Sequence, residues 1–289
     1  MSGEVIENAK IAVISDIHGN YQALKSVLAD IENKGINHII CLGDIIGKGA
    51  NSKKCLDLVR ETCDTVLQGN GDERFSSDPT KFEDNAVEYA RITFFQKSLT
   101  DIDIQYLRGL PISTEFYLSG NLVRLFHATL DDIYRCVFNY ELDFKKKYDM
   151  FKPYGPWGTE VADVVIYGHI HYQFMEKLYG KTLINCGSVG CSGCAVMEDG
   201  YDSNTEISNA HYLILSGNLN DRANGPIEFS FQSVTYDKET ELEDAKVLGD
   251  VVSPGYEGVI RRGYFQGLPT VMKRFTDEGY KFIKKTRNK

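Results

Sequence analysis

The beginning of the chain alternates three times between a short apolar run and an amphipathic stretch. The apolar runs predict strands at residues 11–15, 38–42 and 65–67, and each run ends in a small polar turn. After the first run, Asn20 is placed to cap a helix whose apolar positions share one face, and Gly35 follows its end. Strands that alternate with helices at this rhythm predict parallel pairing in an α/β sheet.

Further along the chain the pattern changes from helix to hairpins and isolated strands. Residues 81–109 have a helical pattern, bounded by a proline at each end. Seven strand-like runs follow, and turn residues join some of them into hairpins; they are residues 112–118, 122–126, 163–167, 174–179, 181–185, 211–215 and 228–234. After about residue 238 the composition becomes that of charged helix. We therefore expect one domain over residues 1–237 and a C-terminal helical extension over residues 238–289.

Residues 129–160, here called the cap insertion, are irregular and rich in aromatic side chains. Two interpretations of these rings are open: they pack a small cap onto the core, or they stack on the base of a nucleotide, worth roughly 1–3 kcal/mol per base. Packing is the simpler interpretation. Within the insertion, the lysines at residues 145–147 are expected to face solvent.

Composition limits the class of protein. Hydrophobic residues make up 42% of the 289 residues and charged residues 25%, which is typical of soluble globular proteins. No apolar run approaches the roughly 18 residues of a membrane span, and the N-terminus lacks the features of a signal peptide. The seven cysteines, an odd number in a long chain, argue against a disulfide framework. We expect a cytoplasmic protein with no membrane partner.

The net charge of −9 argues against non-specific binding to nucleic acid, which depends on a basic surface. It does not exclude an anionic substrate, because a bound metal ion can reverse the sign of the local charge. Composition therefore leaves enzymes that act on small anions open and disfavours nucleic-acid partners.

Side chains that can ligate a metal stand at the ends of the predicted strands, where ligands bind in open α/β sheets. There are seven of them: Asp16, His18, Asp44, Asn70, His127, His169 and His171. Imidazole with carboxylate suits manganese, iron, zinc or cobalt. Seven donors exceed the needs of one ion but suffice for two that share a carboxylate, and two such ions about 3.5–4 Å apart can bind a phosphate and activate a water molecule.

In their order along the chain, these motifs resemble the calcineurin-like metallophosphoesterase superfamily. The shared segments are Asp16-Ile17-His18, Gly43-Asp44, Gly69-Asn70, His127 and Gly168-His169-Ile170-His171, with weaker matches at residues 107–111 and at residues 185–190, where Cys186 replaces the family's proline. The resemblance covers about residues 10–235. It implies an α/β fold, a four-layer αββα sandwich of two mixed β-sheets flanked by helices.

The resemblance also implies roles for the seven side chains. One metal ion would be held by Asp16, His18 and His171; the second by Asn70, His127 and His169; and Asp44 would bridge the two. Manganese, iron or both are expected, and zinc, nickel and cobalt also suit the donors. A hydroxide bridging the ions would attack phosphorus, while the metals and His127 stabilise the phosphoryl oxygens.

Departures from the family pattern narrow the expected substrate. The protein-phosphatase branch carries Gly-Asn-His-Glu, whose histidine protonates the leaving group, whereas this chain has Gly71 and Asp72 after Asn70. That branch also carries an Asp-Arg pair after its bridging aspartate, which is absent here. Asp72 is either a substitute acid or a turn carboxylate, the latter being the simpler interpretation. Lys48 and Arg74 lie near the ligand loops and are candidates for phosphate contacts.

We therefore expect a metal-dependent phosphoesterase, closest to small bacterial phosphodiesterases and diadenosine polyphosphate hydrolases. Its substrate would be a phosphodiester or a nucleotide phosphoanhydride. Two alternatives remain: asymmetric cleavage of diadenosine tetraphosphate, and a non-catalytic regulatory protein that binds metal and nucleotide. The basic C-terminal helix is expected to pack on the domain or on a second subunit of a homo-oligomer. Cys191 and Cys194 are most simply two loop cysteines, since a lone pair does not complete a zinc site.

Overall fold

A computed structural model describes residues 4–139, 141–158, 160–193, 208–249 and 255–263 of the chain. Ten strands form its mixed sheet: β1 Ile6–Ile14, β2 His38–Cys41, β3 Thr65–Val66, β4 Ser113–Leu118, β5 Asn121–Phe126, β6 Val164–Tyr167, β7 Phe174–Leu178, β8 Lys181–Asn185, β9 Ala210–Leu219 and β10 Glu228–Val234. The hydrogen-bonded order is β3-β2-β1-β9-β4-β5-β6-β8-β7, and β10 pairs with β9. The β1–β2, β2–β3, β5–β6 and β6–β8 pairs are parallel.

The helices lie mainly between the early strands and near the C-terminal end of the described chain. They are α1 Tyr21–Asn33, α2 Ser52–Thr62, α3 Asn70–Ser76, a short 3₁₀ helix Pro79–Phe82, α4 Ala86–Gln96, α5 Asp101–Arg108, α6 Phe144–Asp149, α7 Lys238–Ala245 and α8 Tyr256–Arg262. Among the described residues, no helix combines the length and apolarity that crossing a membrane requires.

The sheet folds into two halves that face each other across a central core. One half holds β1, β2, β3, β9 and β10, and the other holds β4 to β8. A single ladder pair, Leu118 with Leu219, joins the halves. Side chains from both halves meet in between, among them Val13, Leu125 and Leu213, all fully buried. The predicted sandwich is confirmed, with its two mixed layers continuous through one bridge between β4 and β9.

Two further cores cover the outer faces of the halves. Helices pack on the first half through a core that includes Ile14, Leu24 and Val59. The cap insertion packs on the second half through residues such as Phe126 and Phe151. In the second half of β1, residues 11–14, the side chains alternate between the helix-side core and the central core. All four are apolar because this part of the strand is covered on both faces.

Most predicted elements are present, and the differences have local causes. Asn20 caps α1 by accepting a hydrogen bond from the amide of Ala23 at 3.0 Å, as expected. The helical stretch predicted over residues 81–109 is divided, because Thr100 and Asp103 form a capping box that begins a new helix, α5. Part of the C-terminal extension, α7 and α8, packs into the helix-side core, while residues 264–289 lie outside the described residues.

One lysine of the cap insertion contradicts the sequence prediction. Lys147 was expected to face solvent but is only 2% exposed. Its Nζ donates hydrogen bonds to the Asn139 carbonyl at 2.8 Å and to the Glu176 carboxylate at 2.6 Å. The hairpin of β7 and β8 brings Glu176 against α6, so a buried lysine has a partner that its local sequence does not reveal.

Candidate functional site

The loops after β1, β2 and β6 hold their polar side chains with an unusual backbone conformation. Six residues there that are not glycine have left-handed φ angles between 52° and 67°: Asp16, His18, Asp44, Lys48, His169 and His171. Such conformations cost of order 1–3 kcal/mol each and persist only where the surroundings impose them, typically at functional sites. Hydrogen bonds between loops supply that constraint; for example, the His18 amide donates to the Asp44 carbonyl at 2.8 Å.

Glycines allow these loops to approach one another closely. Gly43 has a φ of +103°, and a Cβ added there would lie 2.2 Å from the amide nitrogen of Gly69. A Cβ at Gly168 would lie 2.1 Å from Ser15 Oγ and 2.5 Å from Asp16 Oδ2. Any side chain at either position would therefore push the loops apart. The glycines beside the candidate ligands set the spacing of the site.

Asp16, His18 and His171 form a first cluster of candidate ligands. His171 Nε2 lies 3.2 Å from Asp16 Oδ1 and 3.1 Å from His18 Nε2. The His171 Nδ1 donates to the Cys191 carbonyl at 2.9 Å, so its Nε2 carries the lone pair when the ring is neutral. Burial, and then the nearby Lys48 ammonium, hold the pKa of His18 well below its usual range, so the His18 ring is neutral. Acceptor atoms thus converge in the first cluster.

Asn70, His127 and His169 form a second cluster. His127 Nδ1 donates to the Leu42 carbonyl at 3.1 Å, which directs Nε2 toward Asn70 Oδ1 at 3.0 Å. The ring centroid of His169 lies 5.1 Å from that of His127. Histidines that bind metals usually donate their other ring N–H to a backbone carbonyl or a carboxylate in this way, which fixes the tautomer.

His169 faces the cap insertion through its other nitrogen. Its Nε2 lies 3.2 Å from the Tyr134 carbonyl oxygen and 3.3 Å from Cys136 Sγ. Donation from Nε2 to the carbonyl leaves Nδ1 as the nitrogen with the lone pair. Burial, followed by the neighbouring His127, lowers the pKa of His169 to about 3, so the ring is neutral at physiological pH.

Asp44 lies between the two clusters. Its Oδ2 is 3.5 Å from His18 Nε2 in the first cluster, and its Oδ1 is 3.5 Å from His127 Nε2 in the second. Asp16 also reaches both clusters, with Oδ1 4.0 Å from His127 Nε2. Two groups of donor atoms able to hold a cation follow from these positions: Asp16, His18 and His171; and Asp16, Asp44 and His127.

The atoms of the first group fit a cation. Asp16 Oδ1 is buried and has no hydrogen-bond partner among the described residues. It lies 3.2 Å from His171 Nε2, so a carboxylate oxygen and an imidazole nitrogen converge on the same space. A buried, unpaired carboxylate oxygen is costly unless a positive charge compensates it. Carboxylate and imidazole donors together suit divalent manganese, iron or zinc, so the residues present fit a metal centre.

Asp72 has a structural role that the sequence reading only partly anticipated. Its carboxylate, fully buried, accepts hydrogen bonds from four backbone amides at 2.7–3.3 Å, those of Gly69, Asp44, Ile45 and Ile46. In return, Asp44 Oδ1 accepts from the Gly71 amide at 2.6 Å. Burial, and then the Asp44 carboxylate, raise the pKa of Asp72 to about 7. The turn-carboxylate interpretation agrees with this arrangement, which clamps the β2 and β3 loops together.

The two predicted phosphate contacts lie on opposite sides of the site. Lys48, itself left-handed with φ 59°, places Nζ 2.9 Å from His18 Nε2. Arg74 instead forms an ion pair with Glu88 at 3.3 Å and lies over the ring of Tyr134 with its Cζ 5.1 Å from the centroid. Lys48 is therefore at the first cluster, and Arg74 supports the cap insertion beside the second.

Cys191 lies behind the site rather than in it. Its side chain is buried, and its carbonyl is the acceptor for His171 Nδ1. Cys194 falls outside the described residues, so the interpretation of Cys191 and Cys194 as two loop cysteines is not tested. The link between Cys191 and His171 could not be read from the sequence, because the two residues belong to different loops.

A family model described as the calcineurin-like phosphoesterase superfamily domain matches residues 9–198, well over half of the chain. An uncharacterized protein of Methanocaldococcus jannaschii is 29% identical over 253 residues, which cover 87% of this chain and 92% of that relative.

Solved structures share the fold at lower identity. A metallophosphoesterase from Sphaerobacter thermophilus superposes with a TM-score of 0.63 and 21% identity, covering 89% of this chain and 99% of that one. A hypothetical protein from Pyrococcus horikoshii gives a TM-score of 0.66 and 17% identity, covering 88% of this chain and 98% of that one.

Proposed function

Since the chain belongs to the calcineurin-like phosphoesterase superfamily, we propose that it is a hydrolase of phosphoric esters that works with two divalent metal ions. The first ion would be held by Asp16, His18 and His171, and the second by Asn70, His127 and His169. Asp44 would be shared. Manganese and iron are the proposed ions; the donors also suit zinc, nickel and cobalt.

The position of Asp44 is the observation that carries the proposal. Each of its carboxylate oxygens faces a histidine of a different cluster at 3.5 Å. A carboxylate shared by two ions needs this placement, with one oxygen available to each side. When bound, two such ions would supply a hydroxide nucleophile from water at neutral pH and neutralise charge on the phosphoryl oxygens.

The chain's own residues would bind and orient the phosphate. Lys48, whose Nζ lies 2.9 Å from His18 Nε2 at the first cluster, would donate to a phosphoryl oxygen. The imidazole of His127, held by the Leu42 carbonyl, would face the phosphoryl group beside Asn70. With two divalent ions bound, their positive charge would exceed the negative charge of the ligand carboxylates. The pocket would then attract an anion although the net charge of the protein is −9.

Asp72 is not available to protonate the leaving group, because its carboxylate accepts hydrogen bonds from four backbone amides. Leaving groups that need little protonation are therefore favoured, which suggests phosphodiesters with an activated aryl leaving group and phosphoanhydrides whose leaving group is a nucleotide. Diadenosine tetraphosphate belongs to the second class and is one substrate to test.

The experiment is hydrolysis of bis-p-nitrophenyl phosphate by the purified chain with manganese, iron, zinc, nickel or cobalt added. We expect metal-dependent release of p-nitrophenol, and a loss of at least about 100-fold in Asp44→Asn, because a shared ligand serves both ions. Asp57→Asn, an exposed aspartate on α2, is the matched control and should retain full activity.

Absence of hydrolysis with every ion would overturn the enzymatic proposal. Tight binding of metal and nucleotide without turnover would then favour a regulatory binding protein. A panel of mononucleotides, cyclic nucleotides and dinucleoside polyphosphates on the metal-loaded protein would identify the substrate class.

A further inference from the structure

Tyr134 of the cap insertion closes one side of the second cluster. Its hydroxyl oxygen lies 3.4 Å from the Asn70 carbonyl oxygen, and its own carbonyl accepts from His169 Nε2 at 3.2 Å. The residue therefore spans from one candidate ligand to another. Its side chain is nevertheless 38% exposed, so part of the ring faces solvent at the edge of the site.

The ring of Tyr134 is held in place from two directions. The guanidinium of Arg74 covers the ring, with its Cζ 5.1 Å from the centroid, and is itself paired with Glu88. The Tyr134 hydroxyl also donates to the Glu73 carboxylate. A ring fixed before a ligand arrives loses little conformational freedom on binding.

The hydroxyl acts as an anchor and not as a proton donor to substrate. Its proton is already donated to the Glu73 carboxylate. What remains available to a ligand is the exposed part of the aromatic ring. Aromatic faces at the edge of a phosphate site bind planar rings by stacking, an interaction that a group without a ring does not make.

We propose that Tyr134 is a stacking platform for an aromatic group of the substrate. The site would thereby select nucleotide or aryl phosphates over phosphates whose substituent carries no aromatic ring. This inference rests on the proposed function, since the phosphate must lie at the two clusters for its substituent to reach Tyr134. It assigns a specificity role to a residue of the cap insertion whose side chain ligates no metal.

The test measures binding by calorimetry, with adenosine 5′-monophosphate and glycerol 2-phosphate as probes for the manganese-loaded full chain. Tyr134→Leu removes the aromatic face and keeps an apolar side chain of similar length. The substitution should weaken the binding of adenosine monophosphate by about 5- to 100-fold and leave the affinity for glycerol phosphate within about twofold of the wild-type value. Tyr134→Phe keeps the ring and should retain most of the affinity for the nucleotide.

Two controls separate stacking from a structural effect. Tyr89→Leu removes a tyrosine of similar exposure, 40%, on α4, and should change neither affinity. Manganese titration of Tyr134→Leu should give the wild-type stoichiometry, which shows that Asn70 and His169 remain in place.

Three results would overturn the inference. Equal weakening of both probes in Tyr134→Leu would make Tyr134 a positioning residue for the second cluster. Unchanged binding of both probes would remove any role for its ring while leaving the phosphoesterase proposal intact. Failure of the wild-type protein to bind either phosphate would reject the proposed metal centre, and the inference with it.

Discussion

The two clusters of candidate ligands differ in what surrounds them. The first cluster is built into the body of the domain: Asp16 is fully buried, His18 is 3% exposed, and the adjoining loop packs against α8, where a Cβ at Gly49 would lie 2.6 Å from the Tyr256 hydroxyl. The second cluster is completed by the cap insertion, through the partly exposed Tyr134.

This difference suggests that the surroundings of the first cluster serve stability and those of the second serve substrate specificity. Residues of the first cluster depend on core packing, so changes behind it should affect the stability of the protein. Residues beside the second cluster can be substituted with a smaller loss of stability, because they belong to an exposed insertion and not to the core. Loops on a rigid scaffold are where specificity commonly resides. The following predictions test how far the two clusters behave as separate units.

The largest effect is expected from removing one histidine from each cluster. His171→Ala and His169→Ala should each reduce the bound manganese from about two ions per chain to about one, because each removes a ligand of one ion only. Hydrolysis of the aryl diester should fall at least about 100-fold in both. Metal content after gel filtration, measured by atomic spectroscopy, checks the first outcome.

The control for this pair is His38→Ala. His38 lies at the start of β2, paired with Asp64 at 3.5 Å, and is not among the candidate ligands. It should retain both ions. If either cluster variant loses both ions together, the clusters are one cooperative unit and the comparison between them fails.

A smaller effect is expected from Asp72→Asn, which weakens the clamp that serves both clusters through Asp44. Asparagine offers one acceptor oxygen in place of two, so buried backbone amides lose a partner at a cost of about 1–3 kcal/mol in the free energy of unfolding. Activity should fall about 10- to 100-fold, as is typical when a residue that orients a metal ligand is changed.

Urea unfolding and manganese titration measure the two consequences of Asp72→Asn. Asp84→Asn, an exposed aspartate between the 3₁₀ helix and α4, is the control. Wild-type stability and metal affinity in Asp72→Asn would show that the clamp is dispensable.

The smallest effect on the site is expected from Glu241 on α7, which supports the first cluster only from behind. Glu241 is fully buried and accepts from the Tyr256 hydroxyl at 2.9 Å. Burial raises its pKa to about 7, so the folded state favours the protonated form. The resulting contribution to stability is present below about pH 4.5 and is lost as pH rises through about 7.

Glu241→Gln should remove this pH dependence. Relative to wild type, the free energy of unfolding of the variant should increase between pH 5 and pH 8, by up to about 3 kcal/mol. Metal stoichiometry should not change. Denaturant unfolding at the two pH values is the measurement, and Glu243→Gln, exposed on the same helix, should show no such trend. A constant difference from wild type across this range would contradict the assignment.

Local patterns in the sequence were sufficient for much of the fold. The spacing of apolar residues and the cap Asn20 located α1, and the capping box of Thr100 and Asp103, though overlooked, was visible as the start of α5. The polar residues at strand ends were also visible, because the carboxyl ends of parallel strands meet at one edge of a sheet. The metal roles of those residues remain a proposal.

Other features came from contacts between residues far apart in the chain. Lys147 is buried because Glu176, 29 positions away, lies against it. Tyr134 is tied to Asn70 and His169 by a loop whose path no periodicity specifies.

The sequence by itself determined the order of strands and helices and the chemical types of the side chains that end each strand, since both follow from neighbours within a few residues. Tertiary structure alone decided which nitrogen of each histidine faces the site, what Asp72 binds and where Tyr134 lies. These depend on left-handed loops and backbone carbonyls from separate strands, whose relative positions exist only after the two halves of the sheet have packed.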